Sequence, residues 1–149
     1  MAKMFGYMVT WTTYGTWLQG DEKRWVKDGK VLEGNVGLYK SNKASLKSER
    51  VKLNKQEQEI VRQAILKMAC GLGQKVYALA VCSNHVHIVL GNYDEMIGKI
   101  VVRYKKVSTM ALRTNGFSGK VWTKGYDKRY CLNEKALKAR IEYVTSHEV

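Results

Sequence analysis

Asn84-His85-Val86-His87-Ile88-Val89-Leu90 (NHVHIVL, residues 84–90) alternates between two sets of side chains. His85, His87 and Val89 take one parity; Val86, Ile88 and Leu90 take the other. A period of two belongs to an extended strand, whose successive side chains point to opposite faces. The stretch therefore reads as a strand with one greasy face and two imidazoles on the other. Two positions apart on one face, His85 and His87 have Cα atoms about 6–7 Å apart, so both rings can lean onto one cation. Burying Val86, Ile88 and Leu90 against a helix would hold that pair rigidly, and a rigid strand preorganises a ligand pair better than a loop does.

Upstream, Val76–Val81 is a short apolar, β-leaning run and reads as a buried strand. Asn54 with Glu57 three residues on has the form of a capping box. Ile60, Val61, Ala64, Ile65, Met68, Ala69 and Leu72 then mark the inner stripe of a helix that Gly71 and Gly73 end. Phe5–Thr13 is rich in aromatic and β-branched residues and reads as a first strand. Asp28-Gly29 inside Trp25–Leu32 signals a hairpin, and Gly37–Leu53 is a polar, basic loop or arm. Downstream, Asn92 or Asp94 can open a second helix with Ile97, Ile100, Val101, Tyr104, Val107 and Ala111 inward, stopped by Asn115-Gly116. Val121–Thr123 and Lys128–Leu132 read as short strands. Asn133 caps a last helix from Glu134 to about Glu148, with Leu137, Ile141 and Val144 as its core stripe. No repeat or linker interrupts the chain. The expected fold is α+β: an antiparallel sheet of the ferredoxin or RRM kind, with helices packed on it, in one domain over residues 1–149.

Charge narrows the partner. The net charge is +13, from 26 Lys and Arg against 13 Asp and Glu, which favours a polyanion over an indifferent surface. No run of about 18 apolar residues is present to span a bilayer, and the start lacks the pattern of a signal peptide. The expectation is an intracellular, cytoplasmic protein. Three widely spaced cysteines, with no Cys-x-x-Cys pair, read as free and mostly buried thiols. Lys99, Arg103 and Lys106 lie together on the outer side of the second helix. Lys120, Lys124 and Arg129 surround Trp122 in the sequence. These are candidates to track a nucleic-acid strand, and Trp122 or Trp17 is a candidate to stack on an unpaired base.

The third histidine, His147, falls on the last helix. If that helix packs beside the histidine strand, His147 completes a three-nitrogen site with positions left open for substrate. Tyr143 precedes it by four residues, so the two side chains share one helical face. A phenol ionises near about pH 10 and attacks poorly while protonated. A cation held by His147 would stabilise the phenolate and neutralise the phosphate it attacks. Tyr126 and Tyr130 form a second, lower-ranked pair, because Gly125 and Asp127 make a poor helix there. Three imidazoles by themselves suit Zn²⁺, Ni²⁺ or Cu²⁺. Val89 stands where a His-x-His-x-His nucleotide hydrolase would carry its third histidine, and no His-Glu-x-x-His pattern is present.

Ser83 to Leu90 (SNHVHIVL) resembles the histidine–hydrophobe–histidine motif of the HUH single-strand nucleases. More narrowly it is similar to the single-tyrosine transposases, including the REP-associated tyrosine transposases. Thr10–Asp21 (TWTTYGTWLQGD) is similar to that group's first strand and following loop, and Ser118–Arg129 (SGKVWTKGYDKR) to its Gly-x-x-Trp…Tyr segment. Ala139–His147 (ARIEYVTSH) resembles the helix that bears the nucleophile. The resemblance implies metal ligands at His85 and His87, a nucleophile at Tyr143, and His147 in the place of a polar third ligand. It further implies Mg²⁺ or Mn²⁺, cleavage of single-stranded or hairpin DNA through a 5′-phosphotyrosine link, and rejoining by the reverse step. Two departures are Ser83 and Gln19, where relatives often carry proline. The last helix, read as short, would be free to swing or to dock on a second protomer, so a homodimer is one expectation. Two other readings stay open: a non-catalytic RRM-like nucleic-acid-binding module, and a zinc hydrolase of small phosphoesters.

Overall fold

The structure, a computed structural model, describes residues 5–16 and 50–147. Strand β1 (Gly6–Thr12) is followed by helix α1 (Lys55–Leu72) and strands β2 (Val76–Val81) and β3 (His85–Leu90). Helix α2 (Ile97–Thr114), strand β4 (Asp127–Cys131) and helix α3 (Glu134–Thr145) complete it. The strands lie in the order β2-β3-β1-β4, and every neighbouring pair is antiparallel. This is the α+β, ferredoxin-like arrangement expected from the sequence. The Trp25–Leu32 hairpin, Trp17 and residues 37–49 of the basic arm lie outside the described residues.

The alternation read in residues 84–90 holds, with one addition. Tyr7, Val9, Trp11, Leu79, Val86, Ile88 and Leu90 form one core with Val61, Ile65, Ile100, Val101 and Tyr104 of α1 and α2. The other face is not bare beside the histidines. Met8, Ala80, Val89 and Cys131 form a second core under Leu137 and Val144 of α3. Both faces of the sheet are thus covered, and only the half that carries His85 and His87 is left polar.

Local chemistry explains the boundaries. The Asn54–Glu57 capping box is present in both directions, at 2.8 and 2.9 Å. Gly73 takes the left-handed conformation that ends α1, with φ 74°. Asn133 caps α3, accepting from the Ala136 amide at 2.7 Å. Neither Asn92 nor Asp94 opens α2: the residue before it is Met96, extended and without a side-chain cap. The inner stripe of α2 is also rotated from the one expected. Ser108 and Leu112 are fully buried where Val107 and Ala111 are only half-buried. Ser108 is tolerated there because its hydroxyl donates to the Tyr104 carbonyl at 2.7 Å and accepts from Trp122 Nε1 at 3.1 Å. Residues 121–123 form no strand, only a single bridge between Thr13 and Trp122. All three thiols are free, but Cys70 is exposed and Cys82 half-buried. No helix among the described residues is long and apolar enough to cross a membrane.

Two features position the histidine strand. The turn before β3 is pinned: Thr13 N donates to the Asn84 carbonyl at 3.0 Å, and Leu53 N donates to that of Ser83 at 2.7 Å. Gly6 lets α3 come close, since a Cβ at this position would meet the Leu90 carbonyl oxygen at 2.6 Å and Leu137 Cδ1 at 3.3 Å.

Candidate catalytic and metal site

In register, Thr12 pairs with His85 and Thr10 with His87 across β1 and β3, while Ala80 flanks His87 on β2. Small and hydroxylated neighbours leave room above the two imidazoles. Into that room α3 lowers its last turn. The helix ends at Thr145 rather than near Glu148, so Tyr143 stands on its last turn and His147 just past its end, and the seating of Val144 in the second core holds this end of the helix over the strand.

The four rings converge. Ring centroids of His85 and His87 are 4.6 Å apart, those of His87 and His147 4.9 Å, and those of His85 and His147 6.2 Å. The Tyr143 ring lies 5.5 Å from His87 and 4.5 Å from His147. His87 is buried, whereas Tyr143 is 43% exposed and open to a large substrate. All four rings belong to one chain, so assembling them needs no second copy.

The residues behind the rings carry as much information. His85 Nδ1 bonds Asn84 Oδ1 at 2.7 Å, His87 Nδ1 bonds Thr10 Oγ1 at 2.8 Å, and His147 Nδ1 bonds the Tyr143 carbonyl at 2.8 Å. A carbonyl oxygen only accepts, so His85 and His147 carry their protons on Nδ1 and keep a lone pair on Nε2. Such outer partners are how proteins orient imidazole ligands. Thr10 was not singled out from the sequence. A threonine on a strand has no signal of this role until register places it opposite a histidine.

Electrostatics agree with a ligand role. Burial, then the neighbouring His85 and His147, pushes His87 down to about 4. Burial, then His147, lowers His85 as well. Both are neutral at pH 7, the form that ligates metals. The α3 carbonyls end beside His147, a favourable place for positive charge.

As a test of fit, an imidazole bound at about 2.1 Å puts its centroid about 3.2 Å from a metal, so ligands sharing one cation have centroids about 4.5–5.2 Å apart. Two of the three separations meet this; the 6.2 Å between His85 and His147 exceeds it. Accordingly, among the described residues no three His, Cys, Asp or Glu side chains yet enclose a cation as they stand. The donor set, three imidazoles, is of a kind that holds a divalent cation, and a movement of His147 toward His85 is what closure requires.

The other candidates separate. Tyr126 packs half-buried in the helical core with its hydroxyl against Gly98, and Tyr130 pairs with Tyr7, so neither shares the histidine face. Lys106, Lys120, Lys124 and Trp122 line one groove of about 720 Å³ with Lys105, Arg113, Tyr14, Val102 and Met110, and with no acidic residue among the described residues. Trp122 stands edge-on to Trp11 at 5.9 Å and has its indole nitrogen turned inward to Ser108. Lys120 lies 5.3 Å from the centre of the Tyr14 ring. Lys105, overlooked in the sequence because it falls on the inner flank of α2, straps this wall by donating to the carbonyls of Thr123 at 2.9 Å and Gly125 at 2.6 Å. Lys99 is exposed and outside the groove. Arg103 is held by Glu95 at 2.9 Å and Arg129 by Asp127 at 3.3 Å.

The family model for "Transposase IS200 like" matches residues 44–147. No curated protein matches the chain. Among solved structures, a candidate transposase from Deinococcus radiodurans R1 is similar with a TM-score of 0.55 and 15% identity, over 100% of this chain and 95% of that one. A REP-associated tyrosine transposase bound to a REP hairpin is similar with a TM-score of 0.56 and 15% identity, over 95% of this chain and 65% of that one. At such identity the two structures speak for the fold alone.

Proposed function

The chain belongs to the IS200-like transposase family, and on that premise we propose that it nicks and rejoins single-stranded DNA with Tyr143 as nucleophile and a divalent cation, Mg²⁺ or Mn²⁺, on His85, His87 and His147. One observation carries this reading: the Tyr143 ring, from the last helix, lies 5.5 Å from the His87 ring on β3, which itself lies 4.6 Å from that of His85.

The Tyr143 oxygen would attack the phosphorus in line. Its proton passes to solvent, to which the ring is open; the bond from phosphorus to the 3′ oxygen breaks, and that oxygen leaves protonated as a 3′-hydroxyl. The 5′ phosphate stays esterified to Tyr143. Attack by a 3′-hydroxyl reverses the step and joins strands, so the ester conserves the bond energy and no nucleotide is consumed. A divalent cation, when bound, supplies positive charge beside the phosphate oxygens. His85, His87 and His147 would hold it, and Asn84, Thr10 and the Tyr143 carbonyl orient the three imidazoles. Lys106, Lys120 and Lys124 would hold flanking phosphates along the groove, with the Trp122 face available to a base. The hairpin carried by the REP-associated neighbour suggests a DNA hairpin with single-stranded flanks as the first substrate to try.

Such a labelled hairpin, incubated with Mn²⁺, should yield a covalent protein–DNA adduct on a denaturing gel. Tyr143→Phe should abolish the adduct and leave binding intact. An adduct formed by Tyr143→Phe sinks the assignment of the nucleophile. Binding without cutting under every metal leaves a non-catalytic nucleic-acid module, and turnover of a small phosphodiester but not of DNA leaves a phosphoester hydrolase.

A further inference from the structure

We propose that Asp127 and Thr10 form a relay across the sheet that holds His87 as its Nδ1–H tautomer, so that Nε2 is the atom it offers to a cation. The inference rests on the metal reading above, but it concerns His87 before any metal arrives.

Thr10 is the pivot. It pairs with His87 on one side and with Asp127 on the other, so the three residues form one row on the α3 side of the sheet. Directly opposed residues have Cβ atoms about 4.5–5.5 Å apart, within reach of a hydroxyl and a carboxylate. The bond from Thr10 Oγ1 to His87 Nδ1 is 2.8 Å long and buried. His85 and His147 meet oxygens that only accept, which decides their tautomers. A hydroxyl is different, since it can donate or accept. If the Thr10 proton points at His87, Nδ1 must hold a lone pair and Nε2 a proton, and the ring cannot ligate through Nε2. If that proton goes elsewhere, the roles reverse.

Asp127 is where it would go. It is the only carboxylate in the four described strands. Arg129 Nε meets its Oδ2 at 3.3 Å, while Oδ1 has no bond to Thr10 as the residues stand and must turn toward it to complete the relay. The Thr10 hydroxyl then donates to Asp127 and accepts from His87 Nδ1–H. A carboxylate behind the hydroxyl also raises the basicity of Nε2, as outer partners of metal-bound histidines do.

The test is long-range ¹H–¹⁵N NMR of the imidazoles in metal-free protein at pH 7. His87 should carry its proton on Nδ1. Thr10→Val and Asp127→Asn should each shift it toward the Nε2–H form, and Thr10→Ser should restore the native pattern. In a second measurement, Mn²⁺ affinity by electron paramagnetic resonance should fall about 10–100-fold in Thr10→Val and Asp127→Asn and stay near the native value in Thr10→Ser. A native His87 protonated on Nε2 overturns the relay, and so does a tautomer that neither substitution moves. Neither readout uses DNA. An Nδ1–H His87 in a protein that forms no adduct would sink the nuclease reading while leaving this one standing.

Discussion

The ring of Tyr143 on α3, 43% exposed, lies 5.5 Å from the ring of buried His87 on β3. This pairing joins the most exposed and the most buried members of the site. The buried partner is held neutral and oriented, and the exposed one is free to meet a phosphate.

Acid should destabilise the metal-free protein through His87. Burial first, then His85 and His147, brings its folded value down to about 4 from the ordinary 6.5. The unfolded chain therefore takes up the proton first as pH falls. Stability from this residue is constant above pH 6.5, declines between 6.5 and 4, and loses about 3 kcal/mol in all. Thermal melts of metal-free protein from pH 7.5 to 4.5 measure the decline. His87→Asn should flatten it; an unchanged slope in that variant would place the acid sensitivity elsewhere.

His147→Ala should separate metal binding from fold. His147 lies beyond the last turn of α3 and contributes nothing to the second core. The melting temperature without metal should move by less than about 2 °C, since changes at such surface sites are usually within about 0.5 kcal/mol. Calorimetric titration should show Mn²⁺ affinity lowered by at least about tenfold. Equal Mn²⁺ affinity in both proteins would remove His147 from the ligand set.

The groove and α2 should give different salt signatures. Lys106→Ala, Lys120→Ala and Lys124→Ala should each weaken single-strand binding and reduce the slope of log K against log salt by about 0.7, the value of one phosphate contact. Arg103→Ala should change the slope little, because Glu95 already holds that guanidinium at 2.9 Å. Fluorescence anisotropy of a labelled oligonucleotide at several salt concentrations reads both. A larger loss at Arg103 than at the three lysines would move the binding track off the groove.

Gly6→Ala should loosen the seat of α3. The new methyl would press on the Leu90 carbonyl and on Leu137. The expected cost is about 1–3 kcal/mol, read from urea unfolding, as for overpacked cores. Hydrogen exchange in α3 should rise more than in α1. A stability equal to that of the native protein would mean that the two layers separate without cost.

Much of the fold was legible because its signals are local. The capping box at Asn54, the stripe from Ile60 to Leu72, Gly73 and the alternation at His85–Leu90 all act over a few residues, and each appears where expected. The start of α2 was misread because Asn92 and Asp94 have the right chemistry for a cap, but the helix begins beyond them after Met96. Ser108 was missed as a core residue because its hydroxyl is satisfied by Tyr104 and Trp122, and Trp122 lies far along the chain.

The site divides along the same line. Sequence alone supplied the chemistry: two imidazoles of one parity on a strand, and a phenol one helical turn before a third imidazole. Those are consequences of periods of two and of about 3.6 residues, which every backbone of that type obeys. Only tertiary structure decided that the last turn of α3 lies over β3, that Thr10 stands behind His87, and that the lysines of α2 face those after Gly119 across a groove. These depend on strand order, on register and on how closely Gly6 lets a helix approach, and none of the three is written in any short run of residues.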